Sequence, residues 1–386
     1  VDVTPLKTGC KDTCFLFKRK CFLENLERPI IVDMEMSNEQ FSERILTWYK
    51  AVFRPLPWRE TRDPYAIWLS EVILQQTRVE QGMQYYFAFL EQFPTILQLA
   101  NAPEDQVLRC WQGLGYYSRA RNLHAAAKRV RDVFMGVFPK TYEDILSLPG
   151  VGPYTAAAVS SIAFGLPYAV VDGNVYRFLS RLKGISTPID SPAGQKEFRL
   201  LAQSLLNAKF PGDFNQAMME MGATICTPNQ PLCISCVFRH ECIAYSQNSI
   251  SSLPVKSKKT SVRDRHLLFL IFQDSHGNTL IEKRPAGDIW TGLYQFPLIE
   301  TQHSSDSFQL SDLPNLHSFF LESPFIIRKF ATSVRHILSH QRLHARFLHL
   351  DVDVLPQDFF PASESIHTDD LQQRAFPRLI TRYLDF

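Results

Sequence analysis

Between Ser37 and about Tyr245 apolar residues recur at helical spacing, in short runs separated by Pro and Gly. The pattern predicts helices over Glu39–Val52 (Phe41, Ile45, Leu46 and Tyr49 on one face), Ala66–Gly82, Pro103–Cys110, Arg119–Phe134 and Pro153–Phe164. Shorter helices are read at Thr141–Ser147 and Val175–Leu182, and no alternating strand pattern is convincing in this part. At Ser246–Val262 the chain turns polar, Ser-rich and basic, which reads as an interdomain linker. The period then changes to two. His266–Phe272 reads as an apolar strand, D-S-H-G-N as the turn after it, and Thr279–Glu282, Phe325–Ile327 and Ala345–Val352 as further strands. A helical domain (36–245), a linker (246–262) and an α+β domain (263–386) are expected. The first 35 residues carry neither period. They are expected to be a leader, disordered or not translated, with the working start at Met34 or Met36.

Length and composition change this picture little. A chain of 386 residues has room for two or three domains, and 45% hydrophobic with 21% charged residues describes an ordinary globular protein. A net charge of +2 is too small to argue nucleic-acid binding by itself. No run of eighteen apolar residues exists, so no membrane span is expected. The acidic residues Asp2, Asp12, Glu24 and Glu27 argue against a transit peptide. The eight cysteines fall unevenly. Cys10, Cys14 and Cys21 lie in the leader, Cys110 is isolated, and Cys226, Cys233, Cys236 and Cys242 are spaced C-x6-C-x2-C-x5-C. That clustering fits a metal site in a reducing, cytoplasmic compartment better than a disulfide framework. Four thiolates suit zinc or an iron–sulfur cluster alike.

Three stretches carry chemistry. Leu148-Pro149-Gly150-Val151-Gly152 reads as a tight turn, and Pro153 opens a helix where its missing N–H costs nothing. Gly150 and Gly152 let backbone approach a ligand, and the amides at the helix start suit a phosphate oxygen. Glu71 has Ile67, Trp68 and Leu74 as neighbours on its helix face. An apolar surround raises a carboxyl pKa and suits a proton donor near neutrality. Asp172 follows Ala169-Val170-Val171 and precedes a helix, where it serves as N-cap, a role Asn174 could share. An anion there can also stabilise a developing positive charge.

The residues W-L-S-E-V-I-L-Q-Q-T (68–77), G-L-G-Y-Y-S-R (113–119), L-P-G-V-G-P-Y-T (148–155), V-D-G-N-V (171–175) and the four cysteines together resemble the helix-hairpin-helix DNA glycosylases, over about 36–245. The adenine-excising MutY branch is nearest. The resemblance implies an all-α glycosylase domain, its six-helix part about 61–172 and its cluster part about 36–60 plus 173–245. It implies one [4Fe–4S] cluster on Cys226, Cys233, Cys236 and Cys242. Glu71 would protonate adenine N7, and Asp172 would stand under the sugar, with Tyr154 and Asn174 supporting them. In the related endonuclease III branch a lysine stands at the position of Tyr154 and V-D-T-H-V replaces V-D-G-N-V, so a monofunctional enzyme is expected here. Gln76 is implied as the wedge filling the vacated stack, beside Thr77, with Leu114 and Tyr116 near the opposite base. Arg54, Arg59, Arg78, Arg119 and Arg121 are implied backbone or pocket contacts, and Gly150 and Gly152 the hairpin contact to DNA.

Glu282–Pro285 (E-K-R-P) and Trp290–Pro297 (W-T-G-L-Y-Q-F-P) resemble the same family's C-terminal, Nudix-like domain. The Glu-rich helix of a Nudix hydrolase is replaced by L-I-E-T-Q-H-S-S-D-S-F, which removes the magnesium site. Recognition without nucleotide hydrolysis is what remains. Ser339 and His340 would read 8-oxoguanine from a hairpin, although Leu338 stands where the family has Phe. His336, His340, His344 and His349 raise zinc as an alternative. The implied partner is duplex DNA carrying A:8-oxoguanine or A:G mispairs, met by a monomer without membrane attachment. The implied compartment is cytoplasmic in a bacterium, nuclear or mitochondrial in a eukaryote. A thymine or mismatch glycosylase of the same fold and a non-catalytic iron–sulfur DNA sensor are the competing readings.

Overall fold

Helices fill the chain from Asn38 to Ser246 and strands take over at Arg263, where the apolar period changes. The computed structural model describes residues 36–257, 262–301, 319, 321, 323–331 and 333–385. The leader read over 1–35, with Cys10, Cys14 and Cys21, lies outside them, as does most of the segment that replaces the Nudix Glu helix. The helices are α1 (Asn38–Ala51), α2 (Pro64–Ile73), α3 (Val79–Gln92), α4 (Ile96–Asn101), α5 (Glu104–Cys110), α6 (Ser118–Val133), α7 (Tyr142–Leu146), α8 (Pro153–Phe164), α9 (Gly173–Lys183), α10 (Pro192–Leu205), α11 (Pro211–Glu220) and α12 (Ile243–Ser246). No helix among the described residues is long and apolar enough to cross a membrane.

The helix expected over Ala66–Gly82 is two helices. Residues 74–78 break it, and Gln76 sits there with φ 59°, a left-handed conformation that ends any helix. One apolar core gathers Trp68, Phe89, Trp111, Leu123, Ile145 and Val159 from α2 to α8. A separate aromatic knot holds α1, α9 and α11 together, with Phe41 against Phe178, Phe214 and Phe238.

The second part holds two sheets. In the first, β1 (Arg263–Gln273) runs parallel to β7 (Gln341–Val352) and antiparallel to β4 (Leu298–Thr301), while β5 (Phe325–Phe330) and β6 (Val334–Ile337) both pair antiparallel with β7. The second sheet is β3 (Tyr294–Gln295), β2 (Asn278–Lys283) and β8 (Ser363–His367), with β2 central. The continuous apolar run of β1 follows from its two buried faces. Leu267, Phe269 and Ile271 enter one core, and Leu268, Leu270 and Phe272 the other. Leu338 N–H donates to the Gln341 carbonyl at 2.8 Å, closing the β6–β7 turn with Ser339 and His340 at its tip.

The two parts are not strung on a free tether. Arg181 Nε donates to the carbonyls of Ile250 and Leu253, both at 3.1 Å, and Ile189 N–H donates to the Val255 carbonyl at 3.0 Å. Residues read as linker thus lie against the end of α9. Leu293 and Ala375, from the second part, belong to the helical core itself. The described residues from Asn38 onward form one compact unit.

Candidate active site

α2 is an almost wholly buried helix, begun by Pro64 at its first position and capped by Asp63, whose side chain accepts from Tyr65 N–H. Glu71 projects from it with 8% of its surface exposed. Burial pushes its carboxyl up to about 7, the hydrogen bond from Tyr154 pulls it back, and the nearby Asp172 raises it further. Tyr154, on the first turn of α8, donates its hydroxyl to Glu71 Oε2. Burial holds that phenol far above its ordinary range, so it stays a donor.

Asp172 caps α9. Its Oδ1 accepts from Asn174 N–H at 2.9 Å and Val175 N–H at 2.8 Å, and its Oδ2 from Asn174 Nδ2 at 2.7 Å. Asn174 therefore steadies the cap rather than sharing it. Burial raises the Asp172 carboxyl, and these three donors, with the helix N-terminus behind them, counter that rise. Asn174 Oδ1 in turn accepts from Arg177, whose guanidinium also donates to the carbonyls of Gly222 and Cys226, each at 2.7 Å.

Glu71, Tyr154, Asp172 and Asn174 line one cavity of about 200 Å3. Its far wall holds a third carboxylate, Glu220, that the sequence reading missed. Glu220 ends α11 where a π-turn, Met221–Ile225, begins. Burial opposes its charge, but Arg54 and Arg59 both bond to it and hold it below the usual carboxylate range. The clue was present: Glu220 stands in M-M-E-M-G, an acid among apolar neighbours, as Glu71 does. Arg54 and Arg59 face this cavity.

The arginine at 119 turns inward. Its guanidinium donates to the carbonyls of Val72, Ile73 and Gln75, at 2.8, 3.1 and 2.5 Å, and stacks over Trp111 and Tyr116. It thereby satisfies the orphan carbonyls at the end of α2 and props the loop carrying Gln76. Expected as a DNA or pocket contact, it is a bracket within the protein. Arg121 likewise donates to the Thr291 carbonyl at 2.6 Å, while Arg78 is exposed. Leu114, expected near the opposite base, is buried in the helical core, and burial of an apolar side chain outweighs its display. Tyr116 is 46% exposed, Gln76 is exposed and Thr77 half-buried beside it. Tyr116 shares with Gln76 a left-handed backbone, φ 47°. Its hydroxyl hydrogen-bonds Ser339 Oγ. The hairpin tip and the Leu114–Ser118 loop thus meet around a cavity of about 370 Å3 that Ser339 and His340 line.

In the hairpin, Gly150 has φ +74°, and a Cβ there would lie 2.5 Å from Asn122 Cβ, so only glycine fits. Gly152 has open space around it. Its backbone is extended, φ −98°, so the turn itself makes no demand for glycine there.

Cys226, Cys233, Cys236 and Cys242 converge on one apolar pocket between α9 and the 225–250 segment, all as free thiols. No three His, Cys, Asp or Glu side chains among the described residues are grouped to hold a single metal ion. Four thiols lining one pocket are the donor set of a thiolate-bound centre. Three of the four histidines raised as zinc ligands have other partners. His344 bonds Asp264 at 2.9 Å, His349 bonds Tyr383 at 2.8 Å, and His336 packs on Trp290.

A buried acid facing a helix-capping aspartate, beside a glycine hairpin, is the architecture of a base-excision helix-hairpin-helix protein. Residues 69–203 match the family described as HhH-GPD superfamily base excision DNA repair protein, and residues 268–386 match the NUDIX domain. The adenine DNA glycosylase of Buchnera aphidicola subsp. Acyrthosiphon pisum is 32% identical over 78% of this chain and 86% of its own length. That of Mus musculus is 32% identical over 83% of this chain and 72% of its own. A solved thermostable thymine-DNA glycosylase is 32% identical with a TM-score of 0.51, covering 54% of this chain and 97% of that one. The chain belongs to the adenine DNA glycosylase family.

Proposed function

We propose that this protein is a monofunctional adenine DNA glycosylase of base excision repair, hydrolysing the N-glycosidic bond of adenine mispaired with 8-oxoguanine or guanine in duplex DNA. The observation that carries the reading is the sharing of one cavity by a buried Glu71, raised to about 7, and an Asp172 held by three N–H donors. A target base inside a duplex must be flipped out to be reached. Once flipped, adenine accepts the Glu71 proton at N7 and becomes a leaving group. The glycosidic bond lengthens, positive charge spreads over the sugar, and Asp172 supplies the counter-charge. Water then adds at C1′ and gives its proton to the Glu71 carboxylate left by the first step, so a C–O bond replaces the broken C–N bond and an abasic site remains. Tyr154 steers Glu71 and carries no amine, so no Schiff base forms and the strand stays whole.

The four cysteines are read as the ligands of one [4Fe–4S] cluster, which would supply structural cross-linking of the 226–242 loop. Residues 36–245 are read as the glycosylase domain and 263–386 as a Nudix-like domain that recognises 8-oxoguanine through Ser339 and His340. Support for that last role is the meeting of this hairpin with Tyr116. Thymine release is the second reading, favoured only by the likeness to the thymine-DNA glycosylase. That likeness spans 54% of the chain, and the family of the full-length relatives points to adenine.

Single-turnover base release separates them, using duplexes with A opposite 8-oxoguanine, guanine or cytosine and T opposite guanine, resolved with and without alkali. Release from the A:8-oxoguanine and A:G duplexes, with strand breakage only after alkali, is expected. Thymine release without adenine release would overturn the assignment, and strand breakage without alkali would overturn the monofunctional part.

A further inference from the structure

A second cleft, of about 690 Å3, lies apart from the candidate active site between α3 and the last helix, Arg378–Leu384. Gln81, Gln84, Gln112 and Gly113 line one side, and Arg378, Arg382 and Asp385 the other. Arg378 and Arg382 are four apart on a helix and so share a face. Both are exposed, and among the described residues neither guanidinium has a hydrogen bond or ion pair. That sets them apart from Arg54, Arg59, Arg119, Arg121 and Arg177, each committed to an internal partner. Across the cleft from Arg378 stands Tyr85, whose own hydroxyl is spent on the Gln112 carbonyl at 2.7 Å.

Two unspent guanidiniums facing neutral carboxamides make a surface for an anion rich in acceptor oxygens. One carboxylate at the rim, Asp385, leaves the pair in excess. The cleft is wide, open and far larger than a single small anion needs. Gly113 at its edge leads directly into Leu114-Gly115-Tyr116, the loop that meets the Ser339 hairpin. The cleft therefore adjoins that loop directly. We infer that this cleft grips the sugar–phosphate backbone of duplex DNA flanking the mispair, with Arg378 and Arg382 neutralising two phosphates. The inference rests on the DNA-glycosylase reading and adds a contact surface shared by both parts of the chain.

The test uses the full-length protein and three forms: wild type, Arg378→Gln/Arg382→Gln and Arg378→Lys/Arg382→Lys. Duplex affinity is measured against potassium chloride concentration, alongside the melting midpoint and the base-release rate at saturating enzyme. Each phosphate contact contributes about 0.9 to the slope of log affinity against log salt. The Gln pair should lower that slope by about two and weaken binding about tenfold or more at low salt. The Lys pair should retain the slope. Rate at saturation and melting midpoint should stay at wild-type values, and trimming the duplex on the gripped flank should erase the difference between wild type and the Gln pair. An unchanged slope in the Gln pair would overturn the inference. So would an affinity loss without slope change, a lowered melting midpoint, or a saturating rate that falls in step with binding. Wild-type protein that binds duplex but releases no adenine would sink the glycosylase reading, while the slope comparison would still report on the cleft.

Discussion

At the scale of single residues, Glu71 and Asp172 share the cavity, and burial raises both carboxyls. Glu71 is raised from 4.5 to about 7 by burial, so the folded protein holds a proton there that the unfolded chain has released. Stability therefore falls as pH climbs from about 4.5 to about 7, and the full cost is felt above 7. Glu71→Gln removes that cost. The variant should be more stable than wild type by about 3 kcal/mol at pH 8, with the difference vanishing near pH 4, as denaturant midpoints will show. The same variant should bind lesion duplex and release no base, and wild-type release should decline as pH rises through about 7. Equal stability of the two proteins at pH 8 would mean that Glu71 is already charged there at no cost. Asp172→Asn separates cap from chemistry, because asparagine caps a helix about as well as aspartate. A rate loss of about 100-fold or more with an unchanged melting midpoint is expected, and retained activity would leave the residue a cap only.

At the scale of elements, the apolar period located six of the twelve helices α1–α12 within a residue or two, with Pro153–Phe164 read at the bounds observed, while α4, α10, α11 and α12 were not read. The failure at Ala66–Gly82 is instructive. α2 and α3 look continuous because Leu74 and Val79 keep the apolar rhythm. The break is enforced from outside, by a guanidinium forty residues and more away that takes the terminal carbonyls of α2. Nothing local announces such a partner. Glu71 was legible because its neighbours on one helix betray its burial. Glu220 carries the same local clue and was passed over, while its pairing with Arg54 and Arg59, which arrive from another element, is visible only in the fold. The π-turn after Glu220 gives a second test. Gly222 lies so close to α9 that a Cβ would sit 2.5 Å from Asn174 Cβ and 2.6 Å from its carbonyl oxygen. Gly222→Ala must push Asn174, and with it the Asp172 carboxylate. Base release should drop about tenfold or more while duplex binding persists, consistent with the steep cost of small misplacements at a reacting centre. A normal rate at saturation would show that α9 gives way harmlessly.

At the scale of the whole molecule, the sequence showed two parts but not their seam. The polar stretch after Tyr245 looks like a tether, yet its carbonyls are taken up by Arg181 and by backbone, contacts that only the folded α9 can present. The seam is apolar as well as polar, with Leu293 and Ala375 set into the helical core and Lys283 paired with Asp105 at 2.8 Å. Cutting the chain at the tether would strip cover from that core, so removal of the second part is a poor test of recognition. Ser339→Ala with His340→Ala is the cleaner one. It should narrow the preference for A:8-oxoguanine over A:G by about 1–3 kcal/mol, the worth of one good base-edge contact, and leave A:G release nearly unchanged. Equal loss on both duplexes would assign the hairpin a general role in holding DNA.

The shared core also bears on how such a chain can change over generations. An appended module that touches its host only through polar side chains can be lost as easily as it was gained. Here Leu293 and Ala375 have become part of what keeps the helices folded. A descendant that dropped the module would inherit an apolar scar on its surface and the aggregation that such patches invite. The seam thus acts as a ratchet. Substitutions along the 338–341 turn leave that seam intact, whereas loss of the module would lay it bare.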